Sequence, residues 1–126
     1  MIISIDSRNG TMNNENIFET EDFEKVFELV DRLDGNRHTL VSIEKSDGSQ
    51  MLVGGGAGKY IVTMTSSDFK NFHLENGEKK GGLVEICAGG QFGEYDKNMV
   101  VSIDLVKSAI KQFFGRTTPN LSWVSD

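Results

Sequence analysis

One cysteine, Cys87, leaves the chain no intrachain disulfide to form, and it sits in the apolar run Leu83-Val84-Glu85-Ile86-Cys87, where a small buried hydrophobe is the expected role. Histidine is nearly as scarce. His38 and His73 are read as surface or edge residues, with neither at metal-ligand spacing from Cys, Asp or Glu, so no metal site is expected. No apolar run reaches the roughly 20 residues a membrane-spanning helix needs. The five residues before Asp6, MIISI, carry no basic flank and no cleavage pattern, so a secretion signal is not expected either. A reducing, cytoplasmic home follows as the expectation, without membrane attachment.

Positive charge is scarce in one place only. Residues 1–34 hold nine acids against three bases, whereas residues 35–126 hold ten of each, so the net charge of −6 belongs to the N-terminal quarter. A segment of that sign repels nucleic acid and anionic lipid and steers a basic protein partner toward one face. Direct nucleic-acid binding is therefore not expected.

What is present is the ordinary material of one domain. The 126 residues are 37% hydrophobic and 25% charged, with fourteen glycines and a single proline, enough to bury a core without a metal or disulfide staple. Ile2, Ile3 and Ile5 predict a short first strand, and Asp6–Asn16 a polar loop or poorly paired hairpin around Asn9-Gly10. Thr20 is positioned as an N-cap for a helix carrying Phe23, Val26, Phe27, Val30 and Leu33 on one face and stopped by Gly35. Glu21, Glu24, Glu28 and Asp31 share its opposite flank as an acidic ridge; a solvated helix face is the plain alternative.

From His38 the apolar period becomes two. Strands are predicted at 39–44, 50–53 and 60–65, the first pair joined by a turn at Ser46-Asp47-Gly48-Ser49. Asn71–Leu74 and Leu83–Cys87 read as a further hairpin across a lysine-containing connection, and Met99–Ile103 as a final strand. A second helix follows, capped by Ser102 or Asp104, with Leu105, Val106, Ala109, Ile110 and Phe113 inward, Lys107 and Lys111 outward, and Gly115 as its stop. The expected fold is one α+β domain over residues 1–126: a mostly antiparallel curved sheet of about six to eight strands, with an N-terminal and a C-terminal helix packed on it.

Motifs that carry chemistry are few. Gly54-Gly55-Gly56-Ala57-Gly58-Lys59 suggests a phosphate loop, but Val53 stands where the first glycine belongs and Tyr60 where the hydroxyl residue belongs, so a glycine-rich turn or bulge between strands is preferred. No catalytic residue and no cofactor are assigned, and an enzyme is not expected. The alternative is a small ligand-binding protein or enzyme using the Gly54–Lys59 loop. The stretch from Ala88 to Asn98 reads as a glycine-rich loop in which Phe92 and Tyr95 stand beside Glu94 and Asp96, a composition suited to a protein interface, with Phe92 and Tyr95 tucked under the loop to close the sheet edge as the plain alternative. Trp123 is read as an anchor for the terminal strand.

The run VSIDLVKSAIKQFFGRTTPNLSWV resembles the C-terminal signature of an immunity-protein family from bacterial polymorphic toxin and contact-dependent inhibition systems, the family paired with deaminase-superfamily toxins. The resemblance lies in a strand feeding a helix of the form apolar-x-x-Ala-apolar-x-x-Phe, then Gly, then Trp, here Ala109, Phe113, Gly115 and Trp123. The hairpin DGSQMLVGGGAGKYIVTM is similar to that family's central element, so the likeness spans residues 38–124. It implies a cytoplasmic α+β protein, a monomer or weak dimer, that binds the C-terminal toxin domain of its own lineage and occludes its active site. Ala109, Phe113, Gly115 and Trp123 carry over as scaffold. The expected toxin contacts are Glu24, Glu28, Asp31, Phe92, Glu94, Tyr95 and Asp96.

Overall fold

The computed structural model describes residues 1–78 and 81–126. Strand β1, Ile2–Asn9, turns through Gly10 and Thr11 into β2, Met12–Glu19, and the two pair without interruption from Ile2 opposite Glu19 to Asn9 opposite Met12. Gly10 takes φ +62°, as such a tight turn requires. The segment expected as a loop or poor hairpin is therefore a fully registered one. Its polar residues concealed the period because β2 is exposed on both faces.

Helix α1, Phe23–Val30, is capped by Asp22, whose Oδ1 accepts from the Glu24 amide at 3.0 Å. Thr20, the expected cap, acts two residues earlier, its Oγ1 accepting from the Asp22 amide. A meander follows: β3 (Leu40–Glu44), β4 (Gln50–Gly56), β5 (Lys59–Thr65) and β6 (Asn71–Glu75). With β9 (Ser122–Ser125) they complete a seven-stranded antiparallel sheet of order β2-β1-β3-β4-β5-β6-β9.

One expected pairing and one expected strand fail. β6 pairs with β5 and β9, while β7 (Leu83–Ala88) forms a separate hairpin with β8 (Gln91–Asp96). The free side of β6 is taken by the chain end, where Leu74 lies opposite Trp123, a partner 49 residues away that local pattern cannot show. The lysines of the connection expected here, Lys79 and Lys80, lie outside the described residues. The strand expected at Met99–Ile103 shrinks to a 3-10 turn at Lys97–Met99 and one bridge, Val101 to Tyr60. Ser102 turns the chain into α2 (Ile103–Phe113) immediately afterwards, its Oγ accepting from the Leu105 amide at 3.3 Å.

Alternation puts Ile3, Ile5, Val41, Ile43, Met51, Val53, Val62 and Leu74 on one sheet face, all buried. Val26, Leu29 and Val30 from α1, Leu33 from the segment that follows it, and Val106, Ala109, Ile110 and Phe113 from α2 close over them. α1 ends at Val30 with Asp31 as its cap, before Leu33 and the expected stop at Gly35, because the chain there turns into the bridge between Asp34 and Gly56. Each such buried aliphatic side chain contributes about 1.5–3 kcal/mol relative to exposure. Trp123 packs at the margin of this core and its Nε1 donates to Gln112 Oε1 at 2.7 Å, tying β9 to α2. Lys107 and Lys111, read as outward-pointing, lay their ammonium groups over the Phe27 and Phe23 rings. No helix among the described residues is long and apolar enough to cross a membrane.

The β7–β8 hairpin crosses the other face, and the glycine cluster makes this possible. A Cβ on Gly54 would lie 2.6 Å from Ala88 Cβ, and one on Gly55 3.3 Å from Ile86 Cγ2, so the two glycines let β7 approach the sheet. Gly54–Gly56 are paired strand residues and the turn is Ala57-Gly58, both at positive φ. The Gly54–Lys59 segment is thus an antiparallel hairpin, as the turn-or-bulge reading expected.

Candidate functional site

Acidic side chains gather where α1 meets the β1–β2 hairpin. Glu24 and Glu28 on α1 are exposed. Asp31 caps the C-terminal end of the helix and pairs with Lys107 of α2 at 3.2 Å. Glu21 lies before the helix and holds the amino group of Met1. The four-residue ridge expected from helical spacing is therefore shorter, with its two end members engaged in ion pairs. Between α1 and β2 runs a groove of about 290 Å³ lined by Phe18, Glu19, Lys25, Glu28, Leu29 and Arg32.

On the opposite face of the sheet stand Phe92, Glu94, Tyr95 and Asp96. The stretch expected as a loop is β8, entered through Gly89-Gly90, both at positive φ. Strand alternation turns Phe92, Glu94 and Asp96 outward, with Phe92 72% exposed. It turns Tyr95 inward, where it lines a cavity of about 270 Å³ with Leu40, Leu52, Gly54, Ile61 and Ala88. Tyr95 is half-buried and belongs to the hairpin's packing. Glu24, Glu28 and Asp31 are thus separated from the β8 residues by the thickness of the sheet.

The β1–β2 hairpin reaches both regions. At its α1 end Phe18 and Glu19 enter the groove; at its turn end the Arg8 guanidinium lies so close to Gly90 that a Cβ there would sit 2.2 Å from Arg8 Nη1. Arg8 is held by Asp6, which is only 4% exposed. Asp6 Oδ1 accepts from the Thr39 amide at 2.6 Å and the Leu40 amide at 2.9 Å; Oδ2 accepts from Arg8 Nε at 2.7 Å and from the Thr39 hydroxyl. Thr39 Oγ1 in turn accepts from the Gly90 amide at 3.0 Å, so one carboxylate ties β1, the entry to β3 and the β7–β8 turn together. Burial works against ionisation of Asp6, but hydrogen bonds from Thr39, Arg8 and Leu40 outweigh it and hold its pKa below the ordinary 3.8.

The histidines have structural partners. His38 precedes β3 rather than lying in a strand, and its Nδ1 is 2.7 Å from the Asp6 carbonyl oxygen. His73 Nδ1 contacts Asp126 Oδ1 at 2.6 Å and Nε2 contacts Glu75 Oε2 at 2.8 Å, a pairing that the spacing reading passed over. Partial burial opposes its charge, but the two carboxylates prevail and raise its pKa above 6.5. The stabilisation this provides is complete below the ordinary histidine pKa and is lost as pH rises through the raised value. Thermal unfolding from pH 6 to 9 should therefore show the wild type losing stability relative to His73→Gln; parallel pH profiles would contradict the ion-pair clamp. Among the described residues no group of three or more His, Cys, Asp and Glu is placed to hold a metal ion.

Besides the His73 pairing, the sequence reading does not show the β2 edge or the buried Asp6. Asn9-Gly10 between Ile2-Ile3 and Ile17-Phe18 was the available signal for β2. Nothing local marks Asp6 as buried: Arg8 is near in the chain, but the Thr39 and Leu40 donors that enclose the carboxylate lie 33 and 34 residues away.

The fold and surface together define an α+β protein with two helices on one face of an antiparallel sheet, a crossing hairpin on the other, and an acidic side spanning an edge strand and a helix. No protein-family model matches the chain, and no curated protein matches it.

Proposed function

We propose that this chain is a cytoplasmic immunity protein, not an enzyme, that binds a cognate toxin domain acting on nucleic acid, a deaminase or a nuclease, and occludes its active site. The observation that carries this reading is the placement of the acid excess. Glu15, Glu19, Glu24 and Glu28 are exposed on β2 and α1, and residues 1–34, to which these elements belong, hold nine acids against three bases while the rest of the chain is balanced. An enzyme that acts on nucleic acid offers a basic cleft, and an acidic protein surface competes for the same field while gaining association rate.

Because the sheet separates the two expected contact regions, the acidic side is assigned to the toxin and Phe92 is not. The test uses the C-terminal domain encoded by the open reading frame immediately upstream. Glu24→Lys with Glu28→Lys should slow association roughly tenfold or more at low salt and flatten its salt dependence, with stability changed by only about 0.5 kcal/mol. Phe92→Ala should leave the rate unchanged. Unaltered association in the double reversal would remove this surface from the interface.

A further inference from the structure

β2 is the longest unguarded feature of the molecule. It lies at the end of the sheet, so one of its two hydrogen-bonding sides faces solvent along all eight residues. Proteins protect such edges with proline, charged side chains and lysine above all, a bulge, a short length or a covering element. The charges on β2, Glu15 and Glu19, are both acidic, so they repel acidic strands and leave the edge open to basic ones. Met12-Asn13-Asn14-Glu15-Asn16-Ile17-Phe18-Glu19 has no proline and no lysine, its register with β1 is unbroken, and every residue is exposed. The opposite edge of the sheet shows the contrast, since β9 has only four residues. Apolar side chains stand at the β2 edge as well, with Met12 65%, Ile17 64% and Phe18 40% exposed.

We infer that β2 accepts an extended strand from a basic protein partner, which adds to the sheet as an eighth strand. This rests on reading the acidic side as protein-binding and names the mode of binding there. Main-chain hydrogen bonds supply the affinity and alternate side chains the selectivity. Glu15, Ile17 and Glu19 share one face of β2 and Asn16 and Phe18 the other, where Phe18 lines the groove beside Leu29. An antiparallel partner therefore places cations opposite Glu15 and Glu19, and apolar side chains opposite Ile17 and Phe18. Charge also decides against a second copy of this chain. Residues 12–31 contain seven acids and one base, and pairing two such edges would bring two of these segments together.

The probe is a capped octapeptide of matching pattern, Lys-Val-Val-Thr-Lys-Thr-Thr-Val, titrated into the isotopically labelled chain and followed by amide shifts. Its controls carry glutamate at both lysine positions, or N-methyl groups on alternate amides so that no ladder can form. The lysine peptide should perturb the amides of Met12–Glu19, and each control should bind at least tenfold more weakly. Ile17→Lys with Phe18→Lys, checked for folding by its remaining amide shifts, should abolish the effect. Perturbation confined elsewhere, no binding at millimolar peptide, equal binding of either control, or a dimer in sedimentation that Ile17→Lys dissociates would each overturn the inference. None of these outcomes involves the toxin, so strand addition fails separately from the immunity reading.

Discussion

Gly56→Ala is expected to lower the unfolding free energy by about 3 kcal/mol or more, among the largest effects of any single methyl group in this chain. The reason is geometric. Gly56 takes φ +148°, where side chains are strained, and a Cβ there would lie 2.4 Å from the Gly35 nitrogen and 2.5 Å from the Asp34 carbonyl carbon. These are backbone atoms of the segment that leaves α1, held by Asp34 Oδ1 accepting from the amides of Asn36, Arg37 and His38. Neither side can yield without breaking the bridge between Asp34 and Gly56 or that capped turn. Chemical denaturation checks this against Gly58→Ala, a turn glycine with positive φ and open space around it. The Gly58 variant should cost clearly less; equal costs would show that backbone conformation, not contact, sets the effect.

Asp6→Ala is expected to cost about 3–5 kcal/mol. Its carboxylate satisfies two backbone amides, the Thr39 hydroxyl and the Arg8 guanidinium at a site with almost no access to water. Deleting it leaves those donors without an acceptor and the Arg8 charge without its counterion. Asp6→Asn, which keeps one acceptor oxygen, should lose less. The linkage has a definite sign: with a depressed folded pKa, Asp6 stabilises fully above its ordinary value of 3.8, and this is lost as pH falls through the depressed value. Wild-type stability should therefore fall below about pH 4 more steeply than that of Asp6→Asn. If both variants unfold within about 1 kcal/mol of wild type, Asp6 is not the tie between β1 and the crossing hairpin.

These two residues mark the boundary of what local pattern reveals. The helices, the β3–β4 turn and the β4–β5 hairpin are written in short-range signals: apolar spacing, Ser102, Ser46–Ser49, Ala57-Gly58. Four features were not legible in that way. β2 carries four asparagines and glutamates in its first five residues and has no buried face to impose alternation. β6 finds β9 only after the chain returns. Phe92 and Tyr95 part company because β8 is a strand, whose period of two sends neighbours at odd separation to opposite sides. The acids of α1 were legible as a stripe, but not the ion pairs that engage Asp31 and Glu21, since both partners lie outside the helix.

The C-terminal unit builds the core: Ala109 and Phe113 are buried under the sheet, Gly115 ends α2 at φ +80°, and Trp123 fastens the last strand. Surface charge, unpaired backbone and exposed apolar side chains coincide instead at β2 and α1.

The most direct measurement of the proposed function is growth of cells expressing the C-terminal domain encoded immediately upstream, with and without this chain. The proposal predicts arrest by that domain alone, rescue on co-expression of the wild-type chain, and loss of rescue with Glu24→Lys and Glu28→Lys despite normal folding and abundance. Continued arrest in the presence of the folded wild-type chain would contradict it.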